Sequence, residues 1–149
     1  MRIAAYQPEI AGNMGALLRL AACFEVALDV IEPCGFVWSD ARMRRAGMDY
    51  AQRVVTTHHA DWASFRNAVP TRVVLLTTKA VVRLPDFAFD AADVLLLGSE
   101  SAGVPDHVAR ACDAAVRIPI GAQVRSLNIA VAAGIAVGEA LRQTKGYPQ

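Results

Sequence analysis

The chain has 149 residues, 54% of them hydrophobic, with 15 Lys and Arg against 14 Asp and Glu for a formal charge of +1. That length suits one domain with a single sizeable core, residues 1–149, and near-neutrality excludes a global attraction to nucleic acid, so RNA binding has to come from a local patch. The apolar fraction is slightly above that of ordinary soluble domains, and in a small chain such a surplus often covers a subunit interface.

In chain order, Arg2–Tyr6 predicts a first strand, and Gln7-Pro8-Glu9 follows too soon for the apolar stretch of a secretion signal. A soluble, cytoplasmic protein is expected. Residues 7–12 read as a loop and Asn13–Phe24 as a helix burying Leu17, Leu18, Leu20 and Ala21. Ala27–Ile31 reads as a second strand, and a polar segment with Arg42, Arg44 and Arg45 separates it from a third at Arg53–Thr56. Asp61 is placed to cap a helix over Trp62–Ala68, and Val73–Leu76 is an apolar strand ending at Thr77-Thr78-Lys79. Val81–Asp90 reads as irregular, with Pro85 as a breaker.

The stretch from Asp93 to Arg142 carries the most information. The apolar strand Val94–Leu97 runs into Gly98-Ser99-Glu100-Ser101-Ala102-Gly103, and Pro105 opens a helix. A strand over Ala115–Ile120 leads to a loop with Gly121, and Ser126 is expected to cap a helix reaching Arg142 that is apolar almost all round. One face of that helix can pack on a sheet, and the other needs a second partner, which a copy of the chain would supply. The helix contains Asn128 and Glu139 and falls short of the ~20 residues of a membrane span. Strands alternating with helices, several of the strands wholly apolar, predict an α/β fold: a mostly parallel sheet covered by helices on both faces.

Several chemistries lack their residues. No GxGxxG follows the first strand, which counts against a nucleotide-dependent oxidoreductase, and there is no Walker A sequence. Ser99 is not in a GxSxG elbow. The adjacent His58 and His59 point apart and have no carboxylate cluster, so no metal site is expected. Cys23, Cys34 and Cys112 are odd in number and widely spaced, as reduced thiols are. What remains is a set of loops rich in small residues at two strand ends and a helix start, where backbone groups can approach a flat ligand.

A family pattern runs through most of the chain: Pro8-Glu9-Ile10-x-x-Asn13-x-Gly15-x-x-x-Arg19-Leu20, Ile31-Glu32-Pro33-x-Gly35-Phe36, Arg44-Arg45-Ala46-Gly47-x-Asp49-Tyr50, Leu76-Thr77-Thr78-Lys79, Gly98-x-Glu100-x-x-Gly103-x-Pro105, Arg117-Ile118-Pro119 and Arg125-Ser126-x-Asn128. In order and spacing it resembles the SPOUT-class RNA 2′-O-methyltransferases, and among them the small bacterial enzymes acting on the wobble cytidine or uridine of tRNA. The resemblance implies a C-terminal trefoil knot, an S-adenosylmethionine site within it, an obligate homodimer and a tRNA substrate. It puts Leu76, Gly98, Ile118 and Ser126 around the cofactor, makes Arg19 and Asn13 the reactive pair, and gives Glu100, Gly103 and Asn128 supporting roles. Arg42, Arg44 and Arg45 would meet RNA phosphates; a solvated face beside Asp40 and Asp49 is the other reading of that cluster. A guanidinium stays protonated near neutral pH, so Arg19 suits phosphate binding and support of a developing alkoxide better than proton abstraction. Ala102, Ala130 and Gly138 depart from the pattern, where relatives often carry Arg, a hydroxyl or amide residue, and Tyr. Another tRNA or ribosomal RNA nucleotide as target, or a non-catalytic RNA-binding module, are the competing readings.

Overall fold

The computed structural model describes residues 1–39 and 53–149. Among these residues, the strands β1 (Arg2–Tyr6), β2 (Ala27–Ile31), β3 (Thr56–His59), β4 (Val73–Leu76), β5 (Val82–Arg83), β6 (Val94–Leu97) and β7 (Ala114–Arg117) form one sheet in the order β3-β2-β1-β6-β4-β7-β5. Every pairing is parallel. The helices are α1 (Ala11–Cys23), α2 (Trp62–Ala68), α3 (Asp106–Ala111) and α4 (Ile129–Thr144).

The period-2 alternation of a strand divides the core in two. Ile3 and Ala5 of β1, with Leu95 and Leu97 of β6, face Met14, Leu17 and Leu18 of α1 and Ala133, Ala136 and Val137 of α4. Their neighbours Ala4, Tyr6, Val94 and Leu96 face Phe65 of α2 and Val108 of α3. Both faces are thus covered, which is why β4 and β6 read as unbroken apolar runs.

β1, β2, β4, β6 and α2 have the bounds that the sequence predicts, and Asp61 caps α2 by accepting from the Ser64 N–H at 2.7 Å. Val81–Asp90 is irregular apart from the two residues of β5 and a single 3-10 turn, Leu84–Asp86, that holds Pro85. Four expectations need correction. The last strand is Ala114–Arg117 instead of Ala115–Ile120, because its ladders with β4 and β5 reach only from Ala114 to Arg117. The third strand lies at Thr56–His59 instead of Arg53–Thr56, because it is a polar edge strand whose register follows β2 and whose last residue, the buried His59, reaches the buried Asp29 at 2.7 Å. Helix α1 starts two residues earlier than Asn13; Ile10 is its N-cap and supplies no side-chain bond. Ser126 does not cap α4. Asn128 does, its Oδ1 accepting from the N–H groups of Ala130 at 2.9 Å and Val131 at 3.4 Å, so the helix begins at Ile129.

Candidate active site

The carboxyl ends of three neighbouring strands, β6, β4 and β7, open onto a cavity of about 700 Å3. Its walls come from the loops that follow those strands and from the start of α4. Such a volume suits a small molecule of cofactor size, and the outer rim of parallel strands at their carboxyl ends is where open α/β sheets bind ligands.

Glycine shapes the loop after β6. A Cβ on Gly98 would lie 2.5 Å from the carbonyl carbon of Gly103 and 2.6 Å from its Cα, so only glycine lets the two backbones meet there. Gly103 itself has φ +70, a left-handed conformation natural to glycine. Ser99 and Gly103 close the loop by exchanging two N–H to O=C bonds, both 2.9 Å.

A polar frame ties this loop to two helix starts. The Glu100 carboxylate accepts from the N–H of Glu9 at 2.9 Å, the N–H of Ile10 at 3.3 Å and Nδ2 of Asn13 at 3.1 Å. It therefore sits at the positive end of α1, whose own N-cap offers no acceptor. Asn13 in turn accepts on Oδ1 from Nδ2 of Asn128 at 3.0 Å. Both amide orientations follow from chemistry. A carboxylate only accepts and backbone N–H groups only donate, so Asn13 gives its NH2 to Glu100 and Asn128 gives its oxygen to α4.

The expected site residues that lie among the described ones can now be placed. Leu76, Gly98, Ile118 and Ser126 all line the cavity, as do Glu100, Gly103, Asn128 and Asn13. Arg19 is exposed on α1, outside the cavity lining, six residues beyond Asn13 and about 9 Å further along the helix axis. Arg42, Arg44 and Arg45 lie outside the described residues. Sequence reasoning missed Ser101 and Glu9: the Glu9 carboxylate accepts from the N–H of Ser101 at 2.8 Å and its hydroxyl at 2.6 Å, and these two bonds hold the Glu9 carboxyl below the usual carboxylate range. Burial first, and the nearby Glu32 second, push the Cys34 thiol up to about 11; burial does the same at Cys112. Neither thiol is a ready nucleophile.

Residues 1–138 match the model of the SpoU rRNA methylase family. A tRNA (cytidine(34)-2′-O)-methyltransferase of Ancylobacter novellus is 48% identical over 150 residues, 99% of this chain and 95% of that protein. The chain belongs to the SpoU methylase family. The protein of the same description from Escherichia coli K12 is 39% identical over 151 residues, 99% of this chain and 96% of that one. Two solved structures of the family carry the likeness into three dimensions. One, concerned with the 2-OH methylation of C/U34 on tRNA, has a TM-score of 0.90 at 39% identity and covers 95% of this chain and 94% of its own. The SpoU methyltransferase AviRb from Streptomyces viridochromogenes, solved with AdoMet, has a TM-score of 0.87 at 25% identity and covers 96% of this chain and 57% of its own.

The cavity fits the cofactor that this SpoU fold implies. Leu76, Ile118 and Ile120 add apolar side chains to its lining, which suits a flat aromatic ring, and Gly98 and Gly103 bring backbone to the same wall. Ala102 stands on the cavity wall and brings no charged group there. Gly138 faces the C-terminal segment instead: the Tyr147 hydroxyl donates to its carbonyl at 2.8 Å, and a Cβ there would come 3.3 Å from that hydroxyl.

Proposed function

We propose that this protein transfers a methyl group from S-adenosylmethionine to a ribose 2′-hydroxyl of tRNA, at the wobble cytidine or uridine. The observation that carries the reading is the cavity at the ends of β6, β4 and β7, lined by the four residues that the family pattern assigns to the cofactor, in a chain alike over 99% of its length to a tRNA (cytidine(34)-2′-O)-methyltransferase. When bound, the cofactor supplies an electrophilic methyl on a sulfonium. The protein has to hold the ribose oxygen in line with it, assist loss of the hydroxyl proton and keep water out. Arg19 takes phosphate binding and stabilisation of the developing alkoxide, because its guanidinium remains charged. Asn13 holds the start of α1 against the cofactor loop.

Because Arg19 is outside the cavity lining of its own subunit, the reading includes a homodimer in which one subunit's Arg19 completes the other's site. Val131 and Ile135 of α4 are 52% and 43% exposed, and Leu127, just before the helix, is 37% exposed. Ala133 on the same helix is fully buried in the core, so Ile135→Glu is the substitution that addresses the dimer. It should give monomers or aggregates without activity; a wild-type chain active as a monomer in sedimentation would refute the pairing. Arg42, Arg44 and Arg45 are proposed to contact tRNA phosphates, and their joint neutralisation should flatten the salt dependence of tRNA binding. The strand order, with β4 between the later strands β6 and β7, suits the trefoil knot implied for residues of the C-terminal part, and we treat residues 1–149 as one domain. Among the described residues no helix is long and apolar enough to cross a membrane, in keeping with a cytoplasmic tRNA enzyme. The matched family is described by its rRNA methylases, which keeps a ribosomal RNA nucleotide as the second reading.

Incubation with methyl-labelled S-adenosylmethionine and tRNA or rRNA separates these. The expected result is label in 2′-O-methylated nucleosides of tRNA. Cofactor binding without transfer to either RNA would leave a binding module and refute the enzyme.

A further inference from the structure

The cofactor loop and the first turn of α1 hold each other through a pair of crossed carboxylates. Glu100, in the loop, accepts from the backbone of Glu9 and Ile10; Glu9, before the helix, accepts from the backbone N–H and hydroxyl of Ser101 in the loop. The partners are about ninety residues apart in sequence, so the bonds are purely tertiary. Each carboxylate is met by donors from the opposite segment. The Glu9 backbone also lies close against that of Gly35. A Cβ on Gly35 would lie 2.9 Å from the Cα of Glu9, and the Gly35 N–H donates to the Pro8 carbonyl at 2.9 Å. Ser101 lines the cavity, whereas Glu9 does not. The clasp therefore runs from the cavity wall to the helix that bears Asn13 and Arg19.

We propose that Glu9 and Ser101 are positioning residues of methyl transfer, whose clasp couples the filled cofactor cavity to the α1 turn leading to Arg19. The inference rests on reading the protein as an S-adenosylmethionine-dependent RNA methyltransferase. A ligand that stiffens the loop 98–103 fixes Ser101, Ser101 fixes Glu9, and the start of α1 is held in the orientation that aims its far side at the RNA. The same bonds run in reverse, so bound tRNA should tighten cofactor binding by the factor with which the cofactor tightens tRNA binding.

The test is a double-mutant cycle on the full-length protein, with wild-type transfer to RNA measured first so that failure of the parent reading is seen separately. Glu9→Ala, which removes both bonds, should lower kcat about tenfold, the weight of a charge-assisted hydrogen bond, and Ser101→Ala, which keeps the backbone N–H and loses only the hydroxyl, by less, each with KM for S-adenosylmethionine within about twofold. The double variant should fall no further than Glu9→Ala alone. Glu9→Gln should retain most of the rate, because an amide oxygen can accept from the Ser101 N–H while its NH2 donates to the Ser101 hydroxyl; a role for the negative charge itself would be lost in Gln and Ala alike. Amide exchange gives a readout without turnover: S-adenosylhomocysteine should slow exchange over residues 10–14 in the wild type and not in Glu9→Ala. Multiplying single effects in the double variant, a loss carried by KM for the cofactor, Glu9→Gln as poor as Glu9→Ala, or equal slowing of exchange in wild type and Glu9→Ala would each overturn the proposal.

Discussion

The two edges of the sheet use polar groups for different ends. At the amino edge they join residues that begin neighbouring strands: Arg72, before β4, grips the buried Asp93, before β6, at 2.6 and 2.7 Å, and Asp93 also accepts from the Asp90 N–H at 2.8 Å. Asp113, before β7, accepts from the Val73 N–H at 2.7 Å. These bonds join the starts of neighbouring strands, and none of Arg72, Asp93 and Asp113 lines the cavity at the other end. At the carboxyl edge the bonds of Glu100, Asn13 and Asn128 instead link loops to helix starts around an open volume. One edge holds the fold together and the other holds a ligand-sized space open, so substitutions at the two should separate stability from activity.

The largest separation is expected at Arg19, exposed on α1. Arg19→Ala should lower methyl transfer about a thousandfold, the scale of removing one charge-stabilising group, with unfolding midpoint and cofactor affinity unchanged. Wild-type turnover of that variant on purified tRNA would remove Arg19 from the reaction. Gly98→Ala should come next. Its Cβ meets only backbone, so the loop has to shift, and cofactor affinity measured by calorimetry should fall about 10- to 100-fold, corresponding to ~1–3 kcal/mol of overpacking. Unaltered binding would mean that the loop yields freely.

Asp93→Ala probes the opposite edge. It removes the acceptor of Arg72 and of the Asp90 N–H and should cost about 2–3 kcal/mol in denaturant unfolding, discounted for the partial exposure of Arg72, with turnover per folded molecule preserved. A loss of turnover beyond the unfolded fraction would blur the contrast between the edges. The smallest effect is expected at Glu139, on α4, whose carboxyl is lowered to about 2 by hydrogen bonds from Arg142 and Gln143. Because its pKa is depressed in the fold, its contribution is present above the ordinary carboxylate value of ~4.3 and is lost as pH falls towards about 2. Melting temperature should therefore depend less on pH across that window in Glu139→Gln than in wild type; identical profiles would show that the contact adds nothing measurable.

What could be read in the sequence follows from the range of the interactions. β4 and β6 were legible because burial on both faces leaves runs such as Val73–Leu76, and α2 because Asp61 caps it from within its own segment. β3 was misplaced because Val54 and Val55 look more strand-like than Thr56–His59, whereas register against β2 and the Asp29–His59 contact decide its position. Ser126 looked like the cap of α4 because a hydroxyl before an apolar run is a good local signal, but Asn128 is both nearer the helix and tied to Asn13. The small-residue loops at Gly98–Gly103 and Ser126 could be picked out locally, but Leu76 and Ile118 were legible only through a family pattern. Leu76 or Ile118 alone reads as core, and no local rule joins Glu100 to Asn13, 87 residues away, or Glu9 to Ser101.

The most direct test of the central claim is the position of the methyl group. Transfer RNA lacking wobble-position modification should be incubated with the protein and S-adenosylmethionine, and its 2′-O-methylated riboses mapped nucleotide by nucleotide. The account predicts a new methyl at the wobble cytidine or uridine, absent with Arg19→Ala. A methyl at any other nucleotide, or none with cofactor bound, would contradict it.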